Sequence, residues 1–214
     1  LDTKHPVITE NLMGIKRKMG IKQTAKKPIL INDLKLIINV INEEKNELRR
    51  YQDRALILIG FAGGFRRSEL VALEYDDINF ANEGVKIVIK KSKTDQTGVG
   101  MTKAIPYFEN NNYCPVISLK EWINLSKIED GKIFDISDKS VALKIKKYAL
   151  LAGLEHKKYS GHSLRSGFAT STAEIGADER SIMAMTGHKT TQMVRRYIQE
   201  ANLFKNNALN KIKI

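Results

Sequence analysis

Apolar residues recur along most of this chain at three- and four-residue spacing, the period of a helix with one buried face. Leu34, Ile37, Ile38 and Ile41 predict one such helix, with Asn32-Asp33 as its cap. Tyr51, Ala55, Leu58 and Ile59 predict a second over residues 47–62; Gly63-Gly64 breaks it, and a short helix restarts over 66–73. From Pro115 onward the same spacing predicts helices over 116–125, 139–152, 163–175, 178–186 and 190–201. Between these two helical regions the period changes to two. Val85, Ile87 and Ile89 alternate with Lys86 and Lys90, and 104–108 is a second strand-like run, closed by turn-prone Asn110 to Asn112. With 77–80 they make a small antiparallel sheet. The expected fold class is therefore mainly α with a small antiparallel β-sheet, an α+β arrangement.

The two ends carry weaker patterns. Leu12, Ile15 and Met19 share one side of a short helix over 11–19, and the basic, turn-rich GIKQTAKKP that follows has the composition of a linker. Residues 1–25 are thus expected to be the tail of an N-terminal domain plus its linker, the chain starting inside a larger protein. At the other end, 202–214 predicts a helix with Leu203, Phe204, Ala208 and Leu209 on its apolar side.

Composition narrows the function classes. At 214 residues the chain is long enough for one substantial core. Its longest nearly apolar run, 55–65, is about half of the ~20 residues needed to span a bilayer, so no membrane role is expected. A single cysteine, Cys114, suits a reducing, intracellular compartment. Lys plus Arg number 36 against 24 Asp plus Glu, a net charge of +12, which favours a polyanionic partner, nucleic acid being the commonest in a cell, over a basic solvated surface with no partner.

Candidate chemistry concentrates in 160–200. His162 and Arg165 are three apart and therefore neighbours on a helix; an imidazole beside a guanidinium can share one phosphate. Small Ala169, one turn on, leaves room for a ligand. Leu164, Phe168, Ser171 and Ile175 form the core stripe of that helix. Gly187 fits the left-handed position after a helix, which holds His188 on a tight turn where the helix dipole favours its protonated form. Tyr197 sits at the border of the apolar stripe of Val194, Ile198 and Ala201, beside Met193. Upstream, Arg66 or Arg67 supplies a second phosphate clamp, and Lys93 lies in a polar loop between two strands, where an ammonium can protonate a leaving oxygen.

Each of these has a plainer explanation when taken alone. His162 reads as a helix-capping residue, Arg165 as a surface ion pair and His188 as a loop histidine. Tyr197 reads as a core-edge aromatic, Arg195 and Arg196 as a solvated basic face, and Lys93 as one more solvated lysine beside Lys90, Lys91 and Lys103. Neither a metal-ligand spacing among the histidines, nor a Ser-His-Asp pattern, nor paired carboxylates are present, so no metal and no cofactor are expected.

Order and spacing say more than any single residue. GFRRSELVALEYDDI, SKTDQTG, GHSLRSGFAT and TGHKTTQMVRRYI resemble the catalytic domain of the tyrosine recombinase, or phage integrase, family over about residues 26–201. The resemblance implies that family's catalytic-domain fold and a site-specific recombinase or integrase that cleaves and rejoins double-stranded DNA through a covalent 3′-phosphotyrosyl intermediate. It implies catalytic roles for Arg66, Lys93, His162, Arg165 and His188 around the nucleophile Tyr197, with Arg67, Lys90, Lys91, Lys189, Arg195 and Arg196 as DNA contacts. Thr186 stands where the family often has leucine. The resemblance further implies assembly into a tetramer on DNA and no small-molecule substrate, with 202–214 packed on a neighbouring protomer or folded back on its own domain, in the cytoplasm or nucleoid. Two other readings remain at this point: a DNA-binding module inactive without its N-terminal domain, and a type IB topoisomerase.

Overall fold

The computed structural model describes residues 5–19, 26–90, 100–188, 190–202 and 208–212. Its helices are α1 (Pro6–Met19), α2 (Ile31–Asn42), α3 (Glu47–Ala62), α4 (Arg67–Val71), α5 (Pro115–Ser126), α6 (Asp138–Leu151), α7 (His162–Glu174), α8 (Glu179–Thr186) and α9 (Thr191–Asn202). Strands β1 (Ile78–Ala81), β2 (Gly84–Ile89) and β3 (Met101–Pro106) form one antiparallel sheet in the order β1-β2-β3. The α+β expectation holds.

The long helix α3 is the spine. The Asn46 side chain accepts a hydrogen bond from the Arg49 backbone at its N-terminus. Its second half, Ala55 to Ala62, is buried on every side, so it reads as a helix sunk in the core rather than one with a single apolar stripe. The one acidic group it buries, Asp53, accepts hydrogen bonds from Tyr148 Oη (2.6 Å) and Lys144 Nζ (2.5 Å), which ties α3 to α6. Helices α2, α5, α6 and α7 and the inner face of the sheet complete this main core.

A second, smaller cluster lies apart from it. Ala169 and Ala173 of α7, Ile182 of α8 and Val194 of α9 are buried together, with Tyr197 and Ile198 packed at the edge. Helix α9 is thus held by the C-terminal half of α7 and by α8. The segment before α2 also reaches α7: the Ile29 N–H donates to Ser163 O (2.9 Å), and Gly167 permits the contact, because a Cβ there would stand 2.0 Å from Ile29 O.

Several expectations are corrected by these packings. Asn32-Asp33 do not cap α2, which starts at Ile31 with Leu30 as its uncapped N-cap residue; Asp33 instead accepts from Tyr159 Oη at 2.9 Å. The short helix after Gly64 spans only Arg67–Val71. Strand β3 begins at Met101, three residues before the predicted run, and ends at Pro106. Ile175 is 76% exposed, since α7 has ended there, and it lines a cavity instead of joining the core stripe. Ala169 leaves no room for a ligand: it is fully buried against α8 and α9. Of the helix predicted over 202–214, the described part is a single 3-10 turn, Ala208–Lys211; Leu203 and Phe204 lie outside the described residues.

Candidate active site

Five of the six candidate catalytic residues fall among the described positions; Lys93 lies outside them, as do Lys91 and Lys189 among the candidate DNA contacts. The five converge on one region. His162 opens α7, Arg165 follows on its first turn, His188 stands just beyond α8, Tyr197 is on α9, and Arg66 immediately precedes α4.

Arg165 is 2% exposed, which removes the reading of a surface ion pair. Its Nη1 donates to Gly64 O at 2.8 Å, while Nη2 has no hydrogen-bond partner among the described residues. Gly64 adopts φ +54°, a conformation that turns the loop so that its carbonyl meets the guanidinium. Burial, with Arg66 close by, pushes the Arg165 guanidinium down to about 10, against the pull of Glu69 and Tyr197; it stays charged at neutral pH.

Arg66 is oriented by Glu69. The buried carboxylate accepts from the Arg66 backbone N–H (2.9 Å) and from its Nη1 (2.5 Å). Burial alone would push the Glu69 carboxyl up, but the Arg66 bonds and the charges of Lys103 and Arg66 hold it below the usual carboxylate range.

Tyr197 Oη lies 3.4 Å from His162 Nε2, and its ring centroid is 6.2 Å from that of His188. These three, with Ser160, Ser166 and Arg196, line a cleft of about 370 Å³. On the other side of His162 a second cleft of about 210 Å³ is lined by Arg66, Arg67 and Gly161. His162 belongs to both, so the two clefts adjoin at the imidazole. A larger cavity of about 540 Å³ between Leu34, Phe61, Ile105 and Phe168 is mostly apolar, and none of the candidate catalytic residues lines it.

The prediction that His188 is protonated is overturned. Gly187 does take the left-handed position (φ 62°), but burial, then Arg165, Arg66, His162 and Lys103, push the imidazole down to about 4. Burial, reinforced by the two arginines, outweighs the end of one short helix. His162 is lowered as well, by burial first and then by Arg165, Arg66 and Arg67.

Lys103, which looked like one of several solvated lysines, is fully buried. Its ammonium donates to Gly63 O and Met185 O, each at 2.5 Å, and lies 4.4 Å from the centre of the Phe65 ring. It thereby ties β3 to the loop before Arg66 and to the last turn before His188. Burial pushes it down to about 7, with Glu69 opposing and Arg165 and Arg66 adding to the shift. Sequence spacing gives no sign of this role, because its partners are 40 and 82 residues away.

The candidate DNA contacts divide. Arg196 lines the Tyr197 cleft and Arg67 the adjoining one. Arg67 also lies 3.9 Å from Asp138, Arg195 pairs with Glu179 (3.2 Å), and Lys90 pairs with Glu74 (2.7 Å) and Asp77 (3.0 Å) at the foot of the β2–β3 connection. Among the described residues no three His, Cys, Asp or Glu side chains are grouped to hold a metal ion.

The sequence matches the phage integrase family over residues 29–203. An integrase/recombinase xerD homologue of Selenomonas ruminantium is 44% identical over 221 residues, covering 98% of this chain and 64% of that protein. Tyrosine recombinase XerD of Staphylococcus haemolyticus is 32% identical over 149 residues, covering 67% of this chain and 49% of the relative. This chain therefore spans about half to just under two thirds of these proteins' length. In fold it is similar to the XerH site-specific recombinase bound to a palindromic difH substrate in a post-cleavage complex (TM-score 0.68, 20% identity, 88% of this chain and 57% of that one). It is also similar in fold to XerA recombinase (TM-score 0.67, 19% identity, 91% and 67%).

Proposed function

The chain belongs to the phage integrase family, and on that premise we propose that it is the catalytic part of a site-specific DNA recombinase whose nucleophile is Tyr197. The observation that carries the reading is the buried Arg165, one amine fixed by Gly64 and the other without a partner among the described residues, beside the cleft that holds Tyr197 and His162. A guanidinium kept charged in a buried site, among Arg66 and Lys103 with Glu69 as the buried acid beside them, calls for an anion. A DNA phosphodiester supplies one.

In the proposed reaction Tyr197 Oη attacks the phosphorus in line and gives its proton to His162 Nε2, directly or through a water. The Tyr197 O–P bond forms as the bond to the 5′-oxygen breaks, and Lys93 protonates that oxygen. Arg66 and Arg165 hold the non-bridging oxygens as charge builds in the pentavalent transition state. The 3′-phosphotyrosyl link retains the bond energy, so a second 5′-hydroxyl can reverse the step without ATP or metal. Double-stranded DNA is the partner, bound by residues 26–201 and by a tetramer of copies. Residues 1–25 belong to the tail of a core-binding domain plus its linker, and 202–214 to a tail that packs on a neighbouring protomer or folds back on its own domain. The relatives' and neighbours' printed descriptions as recombinases support the reading.

The test is a nicked core-site duplex incubated with the protein in EDTA and resolved on a denaturing gel. A shifted covalent band is expected, absent in Tyr197→Phe. An adduct that survives Tyr197→Phe would remove Tyr197 as nucleophile. Binding without any adduct would leave a DNA-binding module.

A further inference from the structure

The hydroxyl of Thr186 is buried at the end of α8 and makes two short contacts, 2.7 Å to Ile182 O and 2.7 Å to His188 Nδ1. A threonine hydroxyl carries one hydrogen. A carbonyl oxygen can only accept, so that hydrogen goes to Ile182 O. What remains towards His188 is a lone pair, and the contact to Nδ1 is a hydrogen bond only if Nδ1 is the donor. We propose that Thr186 is a positioning residue that fixes His188 as its Nδ1–H tautomer, leaving Nε2 in the cleft as a proton acceptor.

This rests on the catalytic reading of the cleft and specifies one group within it. A neutral imidazole has one donor and one acceptor nitrogen, and the partner of the first decides the second. With Nδ1–H committed to Thr186, Nε2 of the neutral ring cannot donate to a phosphoryl oxygen. It accepts a proton first, and only then donates. Among the described residues the cations acting on His188 oppose that step in the free protein: Arg165 from α7, Arg66 from the segment before α4, and Lys103 from β3, with His162 of α7 adding to them when it is protonated. A bound phosphodiester reverses the balance by adding negative charge among these cations. His188 is thus poised to take up a proton as the phosphate settles, and to hold it on Nε2 towards the developing charge while Nδ1–H stays on Thr186. The proton comes from solvent, since that of Tyr197 goes to His162, and returns to solvent when the phosphate leaves. A leucine at position 186 offers no such lone pair, so this arrangement depends on the residue where the chain departs from the family pattern.

The experiment is nitrogen-15 NMR of the imidazoles in the full chain, first without DNA, comparing wild type, Thr186→Val and Thr186→Ser. Wild type and Thr186→Ser are expected to show His188 protonated on Nδ1 at neutral pH, and Thr186→Val to move towards the Nε2–H form. Wild type with Nε2–H, or Thr186→Val with its tautomer unchanged, overturns the proposal. In the trapping assay Thr186→Val is expected to lose at least about tenfold in adduct rate, below the ~10⁴-fold that a wrong-tautomer histidine costs a serine protease. Thr186→Ser is expected to restore the rate and its pH profile. A rate loss that Thr186→Ser does not repair would mark Thr186 as a packing residue and refute the positioning role. If the tautomer behaves as described but wild type forms no adduct, the recombinase reading fails and the assignment of His188 stands.

Discussion

A guanidinium that is 2% exposed is an expensive side chain to keep charged, and among the described residues Arg165 has one hydrogen-bond acceptor, Gly64 O, to offset its burial. Arg165→Lys retains a charge but loses the planar fork that can hold Gly64 and a phosphoryl oxygen together. It is expected to slow covalent adduct formation by on the order of 10²–10³-fold, the loss typical of one transition-state donor, with duplex binding little changed in a filter or mobility assay. The histidines make a separate prediction about pH. Both His162 and His188 have folded-state pKa values below the ordinary 6.5, so between those values the unfolded chain binds more protons and stability rises with pH. Acidification from about pH 6.5 to about pH 5 is therefore expected to lower the urea midpoint, before Glu69 and the other lowered carboxylates begin to titrate. His188→Asn should flatten that slope; an unchanged slope would show that the imidazole is not held neutral by its surroundings. At this scale the sequence was legible wherever a residue's role could be carried by a local motif: Arg66, His162, Arg165, His188 and Tyr197 all reach the same region. It was silent on Lys103, Glu69 and Thr186. Lys103 takes its meaning from Gly63 and Met185, far away in the chain, and Thr186 from the direction of one hydroxyl hydrogen.

Helices were legible where one face repeats and least so where the core overrides the pattern. The bounds of α3 match its prediction because Asn46 and the Gly63-Gly64 pair punctuate it. Strand β3 was displaced for a reason its own burial shows. Its inward positions are Met101, Lys103 and Ile105, and a lysine at an inward position reads from sequence as an outward one. Alternation therefore began only at Ala104. The separate packing of α9 bears on function at this level. The helix that carries Tyr197, the proposed nucleophile, is secured among the described residues by a small buried cluster of Ala169, Ala173, Ile182 and Val194, while α3 sits in the main core. Small clusters open at lower free energy than large ones. Amide exchange is expected to be faster in α9 than in α3, and Val194→Ala, which truncates the α9 side chain buried in this cluster, should widen that gap. The same variant is expected to reduce adduct yield with little change in the main thermal transition. Equal loss of protection in α3 and α9 would mean that the two clusters unfold as one.

For the whole molecule the question is how much of the net charge of +12 is available to DNA. Several of the cations already have carboxylate partners: Lys90 with Glu74 and Asp77, Arg195 with Glu179, Arg67 with Asp138, Arg66 with Glu69 and, between α3 and α6, Lys144 with Asp53. Exposed pairs of this kind can exchange partners at little cost; the pairs with buried Glu69 and Asp53 cannot, although a guanidinium with five N–H donors can keep Glu69 and still reach a phosphate. Formal charge therefore overstates the number of phosphates the chain can neutralise. Arg66, Arg165, Arg67 and Arg196, which lie in or beside the two clefts, with Lys93, form a set of about five contacts, for which counterion release gives log K against log salt a slope of about −4 to −5. A fluorescence titration of a core-site duplex at several salt concentrations measures it directly. Arg196→Ala is expected to reduce the slope by about one and to weaken core-site and unrelated duplexes alike, as a phosphate contact does. A loss confined to the core site would instead make Arg196 a reader of bases. A slope twice as steep would mean that the surface pairs give way to DNA as well, and that the basic excess of the whole chain, beyond the clefts around His162, takes part in holding the duplex.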